Sequence, residues 1–268
     1  MFKSISKVIQ RSLLALMVVL LVSPLQAQTT GSVRWAGLSE NPTWGSYKNN
    51  AGTVWNIWNA PYRAQFQISN NTNPAIMPPA GATSFGSPAD IFCVDFWHYA
   101  NTSTIGYAAN FTNLGTNSAD VGIKTRSGAV GATHEATLQR YLQAAWLASS
   151  LTSQKAVGHA DSVSDISAAI WQVMSGNPLY RKTTTNSWTA AGIDGWIGQS
   201  VLNYSNVNAS DWVVVTDQLA QGQSSYSTSA RGTQEYITQV TPEPATLLLL
   251  GTGLLGMLMA AGAVRRIV

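Results

Sequence analysis

Cysteine and charged residues are what this 268-residue sequence has least of. Its one cysteine, Cys93, has no partner in the chain for a disulfide bond, so stability must come from a packed core. Charged residues make up 10% of the chain, well below the roughly one quarter of typical proteins. Asparagine, serine, threonine and glycine supply the polar surface instead, which suits an extracellular protein.

The formal net charge of +3 does not indicate a nucleic-acid partner. Of the 15 lysines and arginines, three lie near the N-terminus and two near the C-terminus, leaving ten against eleven acidic residues between Gln28 and Thr241. Nucleic-acid binding needs basic residues clustered on one face, and this near-neutral part offers none. The sequence also lacks a phosphate loop and the HExxH and CxxC spacings, so we expect no metal and no cofactor.

The N-terminus has the three parts of a secretory signal peptide. Three basic residues precede the apolar run of residues 13–22, which is too short to span a membrane comfortably. Small residues follow, with Ala27 at the predicted cleavage position and Gln28 as the first residue of the mature chain. We therefore predict a leader at residues 1–27 that signal peptidase removes.

The C-terminus predicts a membrane-spanning helix. Residues 245–264 contain no charge and no proline, and a helix of that length is about 30 Å long, which matches the hydrocarbon thickness of a bilayer. Arg265 and Arg266 follow and should remain cytoplasmic as a stop, so the preceding chain lies on the far side. The alternative is a buried core helix, but core helices are seldom apolar on every side.

The same tail resembles the PEP-CTERM sorting signal of Gram-negative bacteria. The resemblance rests on the apolar helix, the terminal arginines and the triplet Pro242, Glu243 and Pro244. It implies that residues 241–268 tether the chain to the inner membrane until an exosortase-type protease processes it. It also implies a destination at the cell surface or in the extracellular matrix, with exopolysaccharide as a candidate partner and biofilm as the setting.

The part between the two ends, residues 28–240, is predicted to be one α+β domain. Short alternating segments before residue 70 and the aromatic run 91–100 favour strands, so the N-terminal half is β-rich. Two further alternating segments, residues 211–219 and 233–240, should close the domain as strands. Apolar spacing predicts two or three helices, at Thr133–Leu151, Asp161–Gly176 and Ala190–Val201.

Helical periodicity also predicts which side chains are buried. Ser162 and Asp165 resemble a capping box at the start of the second helix, and Trp171 should belong to the core. On the first helix the predicted core stripe consists of Leu138, Leu142, Ala145 and Ser149.

Cys93 and the second helix together resemble the thioester domains of bacterial surface adhesins. The resemblance rests on Phe92-Cys93-Val94 in a strand and on residues 166–171, which end in Trp171. In that family the thiol attacks a glutamine side chain, expels ammonia and leaves an electrophile that captures amines. Ser167 stands at the glutamine position, and a serine has no acyl carbon. Gln143 and Gln172 lie in the wrong register, so we expect an inactive site with Cys93 as a quiet buried thiol.

Two other functions remain open at this point. Cys93 with His98 or His134 could form a hydrolase dyad, although on a regular strand Cys93 and His98 would face opposite sides. His159 lies far from both, which is why a metal site is not expected. Aromatic faces that stack on sugars could instead make a glycan-binding or protein-binding module from Trp35, Trp44, Trp55, Trp58 and Trp97, although most tryptophans are buried.

Taken together, the sequence predicts an exported surface or matrix protein with a structural or adhesive role and no enzymatic activity. The alternatives are the glycan- or protein-binding module and a Cys-dependent covalent adhesin or hydrolase.

Overall fold

A computed structural model of the chain describes residues 30–38, 44–58, 62–67, 88–98, 100, 106–126, 132–223, 232–239 and Gly253. Apart from Gly253 these all belong to one compact unit, residues 28–239. No helix among the described residues is long and apolar enough to cross a membrane. The predicted leader and the predicted span at 245–264 lie outside the described residues, Gly253 excepted.

Six strands form a closed antiparallel barrel in the order β1-β4-β5-β10-β9-β6. The short alternating segments of the sequence become these strands because alternate side chains can face the barrel interior. Closure pairs β1 with β6 and leaves this sheet without a free edge. The barrel strands are β1 (Thr30–Leu38), β4 (Tyr62–Gln67), β5 (Pro88–Cys93), β6 (Tyr107–Asn113), β9 (Trp212–Asp217) and β10 (Tyr236–Gln239).

The remaining four strands form a second antiparallel sheet in the order β3-β2-β7-β8. Tyr47 pairs with Trp55 on one side and Arg181 on the other, so these three side chains share one face. The strands are β2 (Trp44–Asn49), β3 (Val54–Trp58), β7 (Leu179–Lys182) and β8 (Trp188–Thr189).

Three helices pack between the two sheets: α1 (His134–Ala156), α2 (Ala160–Ser175) and α3 (Ala191–Asn203). Thr133 caps α1 by accepting a hydrogen bond from the backbone N–H of Ala136 at 3.2 Å. Gly176 ends α2 in the left-handed conformation, with φ of 69°, where glycine has no steric cost. The α+β class, the β-rich first half and three helices are therefore confirmed.

The core lies where the barrel meets the helices. All six residues of β9 are buried, because one face lies inside the barrel and the other under the helix layer. Trp212 and Val214 join the helix-side cluster, while Val213 and Val215 alternate with them. Trp171 of α2 lies in the same cluster, so its predicted place in the core is confirmed.

Two predictions about the helices are wrong in detail. Of the predicted stripe of α1, Ala145 is buried as expected, but Ser149 is exposed and Leu138 and Leu142 are only partly buried. The buried face of the helix is centred on Tyr141, Ala144 and Ala148. The alanines let α1 approach its neighbours closely, which the leucine spacing did not indicate. No capping box forms at α2, because the helix begins at Ala160 and Ser162 lies inside it.

Candidate functional site

Cys93 is the last residue of β5, and the chain turns immediately after it. Asp95 makes this bend: its Oδ1 accepts from the backbone N–H of Trp97 at 3.1 Å, and its Oδ2 lies 2.6 Å from Nδ1 of His98. The predicted strand at 91–100 is therefore too long. Cys93 and His98 therefore do not face opposite sides of one regular strand, because His98 lies beyond the bend.

The Cys93 thiol is partly buried between its own loop and α2. Its Sγ lies 3.2 Å from the backbone oxygen of Asp95 and donates to it. The indole of Trp171 on α2 is near enough to interact with the thiol. Burial raises the pKa of the thiol far above its ordinary value, and the carboxylate of Asp95 adds to the shift. A thiol held in its neutral form is a poor nucleophile.

Ser167 and the nearby glutamines do not complete a thioester. Ser167 is buried on α2, and no hydrogen bond joins it to Cys93 among the described residues. The side chain of Gln172 is committed elsewhere, since its Oε1 accepts from the backbone N–H of Leu179 at 2.9 Å. Ser167, at the position where the thioester resemblance requires a glutamine, therefore supplies no acyl carbon.

We expect Cys93 to react slowly with thiol reagents in the folded protein and rapidly in denaturant, because burial raises the pKa of the thiol and its partial burial limits access. The rate in denaturant is the internal control for reagent quality. Labelling followed by intact-mass spectrometry measures both the rate and any loss of ammonia from the chain. Fast labelling of the folded protein, or a mass short by one ammonia, would contradict the quiet-thiol interpretation.

Arg126 lies at the centre of a buried polar cluster beside Cys93. Its guanidinium is fully buried, with Nε 2.8 Å from Oδ2 of Asp95, which is also fully buried. Its Nη2 donates to the backbone oxygen of Thr233 at 3.0 Å. Arg126 therefore joins the bend after β5, through an ion pair with Asp95, to the segment before β10, through a charge-assisted hydrogen bond to Thr233.

Glu235 forms the second half of this cluster. It is 1% exposed, and its Oε1 accepts from the backbone N–H of Arg126 at 2.9 Å and from Thr216 at 2.5 Å. Burial raises the pKa of its carboxyl, although Arg126, Thr216 and Tyr141 oppose the shift. The Tyr141 hydroxyl lies 2.5 Å from Oε2 of Glu235 and 3.1 Å from the carbonyl of Arg126. Tyr141 therefore donates to Glu235 and lies within hydrogen-bond distance of Arg126, which ties α1 to both halves of the cluster.

The three histidines lie in different places with different partners. His98 is buried against Asp95, and its Nε2 has no hydrogen-bond partner among the described residues. His134 opens α1 and its Nδ1 contacts the carbonyl of Val121 at 3.0 Å. His159 is exposed beside Gln154 at 2.8 Å. Within the described part of the chain, no three His, Cys, Asp or Glu side chains are arranged to hold a metal ion.

Chemically, this arrangement is suited to fixing the fold. The charged groups of the cluster bond to each other and to the backbone. Cys93 and His98, the pair that a hydrolase would need, are not hydrogen-bonded to one another among the described residues. None of Asp95, Arg126, Tyr141 and Glu235 was predicted from the sequence to belong to a site. A lone arginine in a polar loop carries no signal that it will be buried.

The tryptophan-rich half contributes packing as well as surface. Trp55 meets Phe96 edge-to-face at 5.0 Å between ring centroids and Trp97 at 5.7 Å. Trp55 and Phe96 are partly buried against the core, and Trp35 is half-buried on β1. The side chains of Trp44 and Trp58 lie outside the described part of the structure.

The tail is the part of the chain that a comparison with known families identifies. Residues 240–266 match the PEP-CTERM protein-sorting motif. This PEP-CTERM motif implies export and sorting by an exosortase-type membrane protease, and it includes Pro242, Glu243 and Pro244. No curated protein and no solved structure matches the chain. The thioester-domain resemblance of the middle region therefore receives no support from the comparisons.

Proposed function

We propose that this protein is an exported, non-catalytic component of the cell surface or extracellular matrix, with a structural or adhesive role. The observation that carries the proposal is the PEP-CTERM motif at residues 240–266, which marks the chain for sorting and processing. The leader at residues 1–27 brings the chain to the membrane, the tail holds it there, and processing near Pro242 then releases residues 28–240 to the surface or matrix.

The surroundings of Cys93 support a role without catalysis. The thiol is partly buried and its pKa is raised, and Ser167 offers no acyl group. Asp95 beside it contacts both Arg126 and His98. A cluster of this kind holds the neighbouring loops in place.

A Cys-dependent covalent adhesin or hydrolase is the second candidate. It is favoured by one observation, the placement of an Asp95–His98 pair within five residues of Cys93, with the Nε2 of His98 buried and without a partner among the described residues. A histidine ring with a carboxylate at one nitrogen and no partner at the other is arranged as in a general base. This function is the second candidate because the raised pKa of the partly buried thiol makes it a poor nucleophile.

We expect the protein from the surface of its native host to begin near Gln28 and to end near residues 242–245. Signal peptidase removes the apolar leader, and the sorting protease removes the tail. Terminal-peptide mass spectrometry measures both ends. In a strain without the sorting protease, the chain should remain in the inner membrane with Arg265 and Arg266 attached.

The same strains test the role of the processed protein. Cells that lack this chain should attach less well to a surface or matrix than cells complemented with it. Complementation with Cys93→Ser should restore attachment, because the proposed role needs no thiol. Recovery of full-length chain from the wild-type surface would refute the processing, and failure of Cys93→Ser alone would favour the second candidate.

A further inference from the structure

The four-stranded sheet has one covered face and one outer face. Tyr47 and Leu179 are fully buried on the covered face, where the Tyr47 hydroxyl donates to the backbone oxygen of Ser164 in α2 at 2.9 Å. The outer face is formed by the alternate residues of the same strands. Its members include Lys48, Val54, Asn56, Tyr180, Lys182 and Trp188.

Two aromatic rings and a lysine form a group on this outer face. Lys48 pairs with Tyr180 across β2 and β7, and Trp188 pairs with Lys182 across β7 and β8. The Lys48 ammonium lies 5.0 Å from the centre of the Trp188 ring and 5.8 Å from that of Tyr180. Both rings are half-buried, and Val54 is 53% exposed beside them. The rings therefore remain accessible on a rigid sheet.

The charge of the outer face is positive and uncompensated. Neither Lys48 nor Lys182 makes an ion pair within the described residues. On the covered face the positive charge is compensated, because Arg181 forms ion pairs with Asp165 at 2.6 Å and with Asp161 at 3.2 Å. The two faces of one sheet thus differ in charge, and a ligand for the outer face should bring carboxylates.

We infer that the outer face is a binding site for an acidic polysaccharide, a chain of sugar rings that carry carboxylate groups. The ring faces of Tyr180 and Trp188 are electron-rich and suit the C–H face of a sugar. Lys48 and Lys182 suit its carboxylates, and Asn56, hydrogen-bonded to Ser46 at 2.7 Å, adds neutral polar groups for hydroxyls. Four strands set about 4.8 Å apart give a platform about 14 Å wide, enough for a short run of rings.

Other occupants fit this face less well. Two lysines are too few for a nucleic acid, whose binding depends on neutralising many phosphates. A membrane surface would need several exposed large apolar side chains, and among the side chains that the structure describes on this face, Val54 is the large hydrophobic that is more than half exposed. The inference rests on the proposed function only in one respect, namely that a matrix protein meets polysaccharide. The chemistry of the site is argued from the residues of the sheet.

Binding can be measured on the full-length chain, purified in detergent from a host without the sorting protease. The probes are an oligomer of galacturonic acid and a neutral galactose oligomer of the same length, compared by calorimetry. We expect the acidic oligomer to bind, with affinity that falls as salt rises. The neutral oligomer should bind about tenfold or more weakly, since it lacks the carboxylates that meet Lys48 and Lys182.

Variants of the outer face locate the site. Trp188→Ala and Lys48→Gln should each reduce affinity for the acidic oligomer several-fold to about tenfold, with at most a small drop in melting temperature. Lys124→Gln is the charge-matched control on a different part of the surface, and Leu202→Ala, 72% exposed on α3, is the apolar control. Neither control should alter binding.

Three outcomes would overturn the inference: no binding of either oligomer, equal binding of both, or outer-face variants that behave like the two controls. The measurement does not depend on processing of the tail. If the chain is processed correctly but does not bind, the proposed function stands and the outer-face binding site is refuted. If the chain binds but keeps its tail on the wild-type surface, the binding site stands and the proposed processing is refuted.

Discussion

Replacing Arg126 with methionine should lower the free energy of unfolding by about 3–5 kcal/mol. The substitution keeps an unbranched, largely apolar stem but removes the guanidinium and its charge, which leaves Asp95 fully buried without the group that now lies 2.8 Å from its carboxylate. It also removes the donor to the carbonyl of Thr233. Urea denaturation of residues 28–240, followed by tryptophan fluorescence, measures the loss.

A surface pair provides the matched control for this experiment. Lys124 contacts Asp120 at 2.9 Å with both side chains partly exposed, so Lys124→Met should change stability by about 1 kcal/mol or less. The double variant Asp95→Asn with Arg126→Met should lose less than the sum of the two single changes, because neither charge is then left alone. Equal losses for Arg126→Met and Lys124→Met would show that the buried pair does not hold the bend.

The fold could be predicted from the sequence wherever one side chain pattern dominated. The helix at Ala160–Ser175 was predicted to within one residue at each end, because Gly176 marks its end and its apolar spacing is regular. The strand β6 at Tyr107–Asn113 was missed, since its asparagines and threonines read as a polar loop. Asn110 and Thr112 are in fact buried, and Asn110 bonds to the carbonyl of Lys124 at 3.2 Å. Barrel closure depends on pairing between distant segments, which local periodicity does not contain.

The candidate site was predictable in part for a similar reason. Cys93 and Trp171 were singled out from their motifs, and the structure brings them together between β5 and α2. The polar cluster beside them was not predicted, because Arg126 and Glu235 are more than 100 positions apart and meet only through the barrel. The sequence does not indicate that Trp188 could bind a glycan, since its strand has only two residues and its neighbours are polar.

Replacing Trp171 with alanine should lower the free energy of unfolding by about 3–5 kcal/mol, the usual cost of truncating a large buried side chain. Trp171 is 4% exposed, and its ring meets Tyr47 edge-to-face at 5.7 Å and Phe96 at 5.4 Å. It therefore joins α2 to the four-stranded sheet and to the bend after Cys93. Against a typical total stability of about 5–15 kcal/mol, the loss could leave a large unfolded fraction at ambient temperature.

The same truncation on the outer face is the control, because Trp188→Ala removes an equally large side chain from a half-buried position. Thermal melts of residues 28–240 should show a large drop in melting temperature for Trp171→Ala and a small one for Trp188→Ala. The Cys93 thiol supplies a second readout, since Trp171 encloses it and its loss should speed labelling of the protein that remains folded. An unchanged melting temperature and unchanged labelling in Trp171→Ala would mean that this indole is not part of the core that joins the two sheets.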